Sequence, residues 1–83
     1  MKVTVKYFAS IREAIGAPLE AFDSSAMTLA ALRDELIARG GAHAESLARG
    51  RAVRMALNQV MCDEAAALLE GAEVAFFPPV TGG

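Results

Sequence analysis

The sequence predicts an α+β domain in which a mixed sheet of about five strands packs on one main helix. Three observations carry that expectation. Residues 2–8 alternate with period two and are rich in β-branched and aromatic types. Leu29, Leu32, Leu36 and Ile37 recur at helical spacing. Residues 73–77 repeat the strand character immediately before Pro78-Pro79. At 83 residues the chain has room for one such domain.

In the first strand, Val3, Val5 and Tyr7 face the core and Thr4, Lys6 and Phe8 face out, so Phe8 is an aromatic on the wrong side. Ser10 with Glu13 three residues later has capping-box spacing and predicts a short helix closed by Gly16. Leu19 to Asp23 reads as a second strand, with Pro18 suited to a sheet edge. Thr28 opens the main helix, Arg33, Asp34 and Arg39 take its polar side, and Gly40-Gly41 ends it. Ala42 to Gly50 has room for a further helical turn. Val53, Met55 and Leu57 alternate as a third strand, Asn58-Gln59 turns the chain, and Val60 to Cys62 returns. Asp63 to Leu69 reads as a loop with a helical turn, and Glu73 to Phe77 as the last strand, with Val74 and Phe76 inward and Phe77 outward. Pro78-Pro79 stops it, because neither residue donates a ladder hydrogen bond. The first and last strands, the most apolar, are expected side by side at the centre.

Composition excludes several function classes. Of the 54% apolar residues, 18 are Ala, which suits close packing rather than a lipid-facing span. Eight basic against ten acidic residues give a net charge of −2 and a pI near 5.2, which argues against nucleic-acid binding by charge. No stretch is long and apolar enough to span a membrane, and no basic region precedes an apolar run at the N-terminus. A single cysteine leaves no internal disulfide, and no Cys/His cluster suggests a metal. A reduced, cytoplasmic setting without membrane contact is the expectation.

Catalytic constellations are absent too. His43 and Cys62 fall in different segments and read as a surface histidine and a half-buried cysteine. Arg49, Arg51 and Arg54 form a basic cluster that is either a solvated loop or a site for an acidic protein. The C-terminus differs. Pro78, Pro79, Val80, Thr81, Gly82 and Gly83 run from a stiff dipeptide to two residues without side chains. Gly-Gly contributes no packing and is costly to order, so entry into a narrow slot accounts for it; alone, a frayed end accounts for it as well. The division expected is a domain over 1–77 and an extended, flexible tail over 78–83, reaching about 20 Å at roughly 3.3 Å per residue.

Residues along nearly the whole chain carry a resemblance. They are Tyr7-Phe8-Ala9 followed by Ile11-Arg12-Glu13 and Gly16, Thr28-Leu29 with Ala31-Leu32-Arg33, Ala56-Leu57-Asn58-Gln59, and Gly71 with Glu73 through Gly83. The chain resembles the small, sulfur-carrying subunits of molybdopterin synthase, members of the ubiquitin-like β-grasp superfamily. The final Phe-Phe-Pro-Pro-Val-Thr-Gly-Gly is the most specific part.

The resemblance implies a cycle. An ATP-dependent activating enzyme adenylates the Gly83 carboxylate, and a cysteine-desulfurase relay converts it to a thiocarboxylate. The tail then enters the large synthase subunit, in an expected heterotetramer, and donates sulfur to cyclic pyranopterin monophosphate to build the dithiolene. This chain is then a protein cosubstrate that holds no cofactor of its own; ATP is used by the activating partner, and acid/base groups belong to the large subunit. Phe8 and Phe77, with Met61, are expected to form the partner interface beside the tail. Three alternatives remain: the sulfur carrier of thiamine synthesis, a ubiquitin-like modifier joined to lysines through Gly83, and an interaction module whose tail does no chemistry.

Overall fold

Alternation along the first segment produces the central ladder of the fold. The computed structural model describes residues 1–79. Its elements are β1 (Lys2–Tyr7), α1 (Ala9–Ile15), β2 (Leu19–Asp23), α2 (Leu29–Ile37), α3 (Gly41–Leu47), β3 (Arg54–Leu57), β4 (Val60–Cys62) and β5 (Glu73–Phe77). They form a five-stranded sheet in the order β2-β1-β5-β3-β4. The β1–β5 pair is parallel, and the other pairs are antiparallel. The two most apolar strands therefore do lie side by side, with β5 at the centre.

One sheet face meets the helices. Val3, Val5 and Tyr7 from β1, Val74 and Phe76 from β5, and Met55 from β3 are buried there against Leu29, Leu32 and Leu36 of α2. The three leucines are wholly inaccessible, as the helical spacing requires. Thr28 caps α2 by accepting a hydrogen bond from the Ala31 amide at 3.2 Å. Asn58 and Gln59 take φ of 50° and 69°, the left-handed pair of a two-residue hairpin, and join β3 to β4.

Four local expectations are corrected, those for Ser10, Arg33, Arg49 and His43. Ser10 does not cap α1: Phe8, in extended backbone (φ −129°, ψ 156°), holds the cap position without a side-chain bond, and Ser10 lies inside the helix. Strand β1 ends at Tyr7, and the Phe8 carbonyl already accepts from the amides of Ile11 and Arg12, so the helix begins earlier than the capping pattern suggests. Gly16 does close α1, at φ 87°. Arg33 is not on an exposed face. It is 5% accessible, because the segment after α3 folds across that flank of α2 and presents backbone carbonyls to the guanidinium. Arg49 is not part of a free basic cluster either, since it pairs with Asp34 at 2.8 Å and Glu64 at 2.5 Å.

His43 is likewise not a surface residue. Glu20 points from β2 to the helix side, where its carboxylate meets the Tyr7 hydroxyl at 2.7 Å, His43 Nε2 at 2.8 Å and Arg39 at 2.5 Å. The Tyr7 and His43 rings meet edge to face at 5.9 Å. Burial works to raise the Glu20 pKa, but hydrogen bonds from Arg39, His43 and Tyr7 outweigh it and bring it from 4.5 to about 2. A depressed folded-state pKa stabilises above the unfolded value and loses that stabilisation as pH falls through the folded one. Stability is therefore expected to fall between pH 4.5 and about 2. Glu20→Gln is expected to remove about 2 kcal/mol at neutral pH, after discounting for partial exposure, and to flatten that acid limb. Chemical denaturation across the pH series checks both, and an unchanged slope in the variant would reject the assignment.

Candidate functional site

The C-terminal residues follow the central strand in the sequence. β5 ends at Phe77, and Pro78 and Pro79 follow, both half-buried. Val80, Thr81, Gly82 and Gly83 lie outside the described residues.

Beside that exit the sheet's outer face holds a groove. On this face β5 presents Glu73, Ala75 and Phe77, while β3 presents Arg54 and Ala56, in the register Ala56 to Ala75 and Arg54 to Phe77. The small side chains of Ala56 and Ala75 form a floor, and the rings of Phe8 and Phe77 stand edge to face at 6.4 Å as its wall. Gln59 and Glu73 complete a groove of about 400 Å³. Glu73 is held by Lys6 at 3.3 Å. Phe8 keeps 46% of its surface exposed, and the left-handed backbone of Ala9 (φ 52°) turns the chain sharply after it. A bulky residue at position 56 or 75 would fill the groove.

The structure thus brings Phe8 and Phe77 together. Met61 lies on the same face, opposite Ala56 on the outer strand β4 and 56% exposed, but it does not line the groove. Gln59 and the two alanines were not singled out from sequence. Gln59 belongs to a turn whose direction depends on the positive φ values, and alanine floors carry no signal until the strand register is known.

The remaining chemical candidates separate. Cys62 is half-buried, and burial together with the Asp63 charge pushes its thiol pKa up, which keeps the sulfur protonated and unreactive at neutral pH. His43 is committed to Glu20 on the helix side, away from the groove. Among the described residues no group of three or more His, Cys, Asp or Glu side chains could hold a metal ion, and no helix is long and apolar enough to cross a membrane. What the described residues offer is a largely apolar groove beside the end of β5, the strand that precedes the C-terminal residues.

Comparison with known proteins identifies the family. The model of the ThiS family matches residues 5–83. The chain belongs to the ThiS family. It is 37% identical over 81 residues to the molybdopterin synthase sulfur carrier subunit of Haemophilus influenzae, covering 98% of this chain and 99% of the relative. Among solved structures it is similar to SAMP1 from Haloferax volcanii, with a TM-score of 0.77 and 26% identity over the full length of both chains. It is also similar to a chain in the complex of subunits 1 and 2 of the molybdopterin-converting factor from Helicobacter pylori, at 30% identity and a TM-score of 0.65 over the full length of both. The fold of this ThiS-family chain is the ubiquitin-like β-grasp expected from the sequence.

Proposed function

We propose that this chain is the sulfur-carrier subunit of a molybdopterin synthase and that Gly83 is its working residue. The observation that carries the reading is the end-to-end likeness to sulfur carriers of that synthase, joined to a Gly-Gly terminus set four residues beyond the strand that borders the docking groove.

The chemistry follows from the terminal group. A carboxylate is a poor acyl electrophile, and at neutral pH Gly83 carries one, with a reference pKa near 3.5. Attack of that carboxylate on ATP in an activating enzyme gives an acyl adenylate and releases pyrophosphate. A persulfide sulfur from the donor relay then forms a C–S bond as the C–O bond to AMP breaks, and a thiol reductant cleaves the S–S bond of that acyl disulfide, ending as a disulfide itself. The resulting thiocarboxylate supplies sulfur to cyclic pyranopterin monophosphate in the large subunit, and hydrolysis restores the carboxylate. Pro78 and Pro79 stiffen the approach, while Val80, Thr81 and Gly82 pass through the partner's slot. Phe8, Phe77 and Met61 seat the domain body, in a tetramer of two large and two small subunits.

Intact-mass measurement after incubation with the activating enzyme, ATP and the sulfur donor tests this reading. The expected product gains one sulfur in place of one oxygen on the C-terminal peptide, in the wild type and in Cys62→Ala alike. Lysine adducts would indicate a modifier instead. No change with competent partners would leave only an interaction module. The interface has its own measurement. Phe77→Asp is expected to weaken binding of the large subunit by at least about tenfold, because truncating a central aromatic anchor commonly costs 2 kcal/mol or more. An unchanged affinity would remove the groove from the interface.

A further inference from the structure

The groove accounts for one side of the tail's root, and a second concavity lies on the other. Pro78 borders a cleft of about 250 Å³ between α1, α3 and the segment leading into β3. Ile11, Ala14 and Val53 supply its apolar part; Glu45 and Arg51 supply its charge. The end of β5 therefore places Phe77 in the groove and Pro78 in the cleft. A partner that closes around residues 80–83 must pass both.

The charges at this root are distributed unevenly. Arg51 borders the cleft, and Arg54 stands opposite Phe77 in the strand register, so the two arginines bracket the tail's exit. Both are exposed, and among the described residues neither takes part in an ion pair. Arg49, their neighbour in sequence, is fully engaged with Asp34 and Glu64. The acidic group that borders the cleft, Glu45, lies on α3. Lys2 and Arg12 also stand outside the ion pairs of the described residues, but only Arg51 and Arg54 lie together beside the end of β5.

The geometry points to a second contact with the large synthase subunit: a basic collar of Arg51 and Arg54 that receives an acidic rim around the tail slot, with a loop of that rim seated in the α1–α3 cleft. This inference rests on the sulfur-carrier reading above. The partner's chemistry is set by the collar, and the site by continuity with the groove through the single strand end that both share. Exposed charges of this kind act on association rate and on salt dependence more than on the fold.

Purified large subunit titrated with the full chain at low and high salt provides the test. Arg51→Glu and Arg54→Glu are each expected to weaken binding about three- to tenfold at low salt and to reduce its salt dependence. Ala14→Phe, a substitution on the exposed side of α1, is expected to weaken binding by filling the cleft. Circular dichroism and Tm should be unchanged in all three. Wild-type affinity and wild-type salt dependence in both charge variants would overturn the collar, and wild-type affinity in Ala14→Phe would overturn the seated loop. Charge variants that disturb the amide signals of Gly82 and Gly83 in the free chain, while binding normally, would make the chain's own tail the occupant and would also overturn it. Loss of binding in Phe77→Asp alone leaves the groove standing without the collar. Thiocarboxylate formation, measured separately, fails only if the carrier reading itself is wrong.

Discussion

Deleting Gly83, or replacing Gly82 with Trp, is expected to abolish adenylation and sulfur transfer while the melting temperature stays where it was. The two halves of that result have different physical origins. The reacting atom must be presented in line with a bound nucleotide inside a slot narrow enough to exclude water, and a displacement of about 1 Å in such a geometry can cost a hundredfold in rate. Deletion moves the carboxylate by a whole residue. An indole at position 82 fills space that glycine leaves empty. Both are expected to lower activation by at least about a hundredfold, read as pyrophosphate release with the activating enzyme and ATP. Stability should not follow, because among the described residues the buried core side chains lie between Val3 and Phe76. A loss of several degrees in either variant, measured by calorimetry, would mean that the terminus packs on the domain. Full activity in the Gly82 variant would mean that no narrow slot exists.

Most of the framework that positions this tail was legible in the sequence because it follows from periodicity. Strands β2, β4 and β5 have the predicted bounds, and α2 starts at the predicted cap, since alternation, a Thr cap and Pro-Pro are local signals. Phe8 and Phe77 could be paired in advance because each breaks the inward pattern of its own strand, and neighbouring strands then bring two such breaks together. What could not be read was set by contacts distant in sequence. Arg33 looks like a solvated helix residue until the segment from Leu47 to Arg51 lies across it. His43 has no meaning in its own segment and acquires one only when β2 brings Glu20 beneath it. The role of Ser10 failed for another reason. Two overlapping signals competed there, and the end of β1 decided where α1 begins.

The buried arginine leads to the largest stability effect expected in this molecule. Arg33 Nε donates to the Leu47 carbonyl at 2.7 Å, and one terminal nitrogen donates to the carbonyls of Ala48 at 2.8 Å and Arg51 at 3.1 Å. The other terminal nitrogen meets Glu64 at 2.8 Å. One planar group thus joins α2, the end of α3, the segment entering β3 and the loop after β4. Arg33→Ala takes their side-chain donor from the Leu47 and Arg51 carbonyls, while Ala48 keeps the Arg51 amide and Glu64 keeps Arg49. Two stranded carbonyls at about 1–3 kcal/mol each, with the lost packing of the side chain, make a cost of about 3 kcal/mol or more. For a domain of this size each kcal/mol corresponds to roughly 4–8 °C, so a fall of at least about 12 °C in Tm is expected. Arg33→Lys should recover only part of it, since an ammonium cannot reach four acceptors spread over a fork. Arg49→Ala is the internal comparison. Its side chain is 43% exposed and it also pairs with Glu64, yet a solvated pair contributes less than about 1 kcal/mol. Equal losses at positions 33 and 49 would show that the Glu64 ion pair carries the stability; a loss confined to position 33 would assign it to the carbonyls. In that second case the segment holding Arg51 and Val53 is fastened by Arg33, and the cleft beside the tail depends on a residue that never touches a partner.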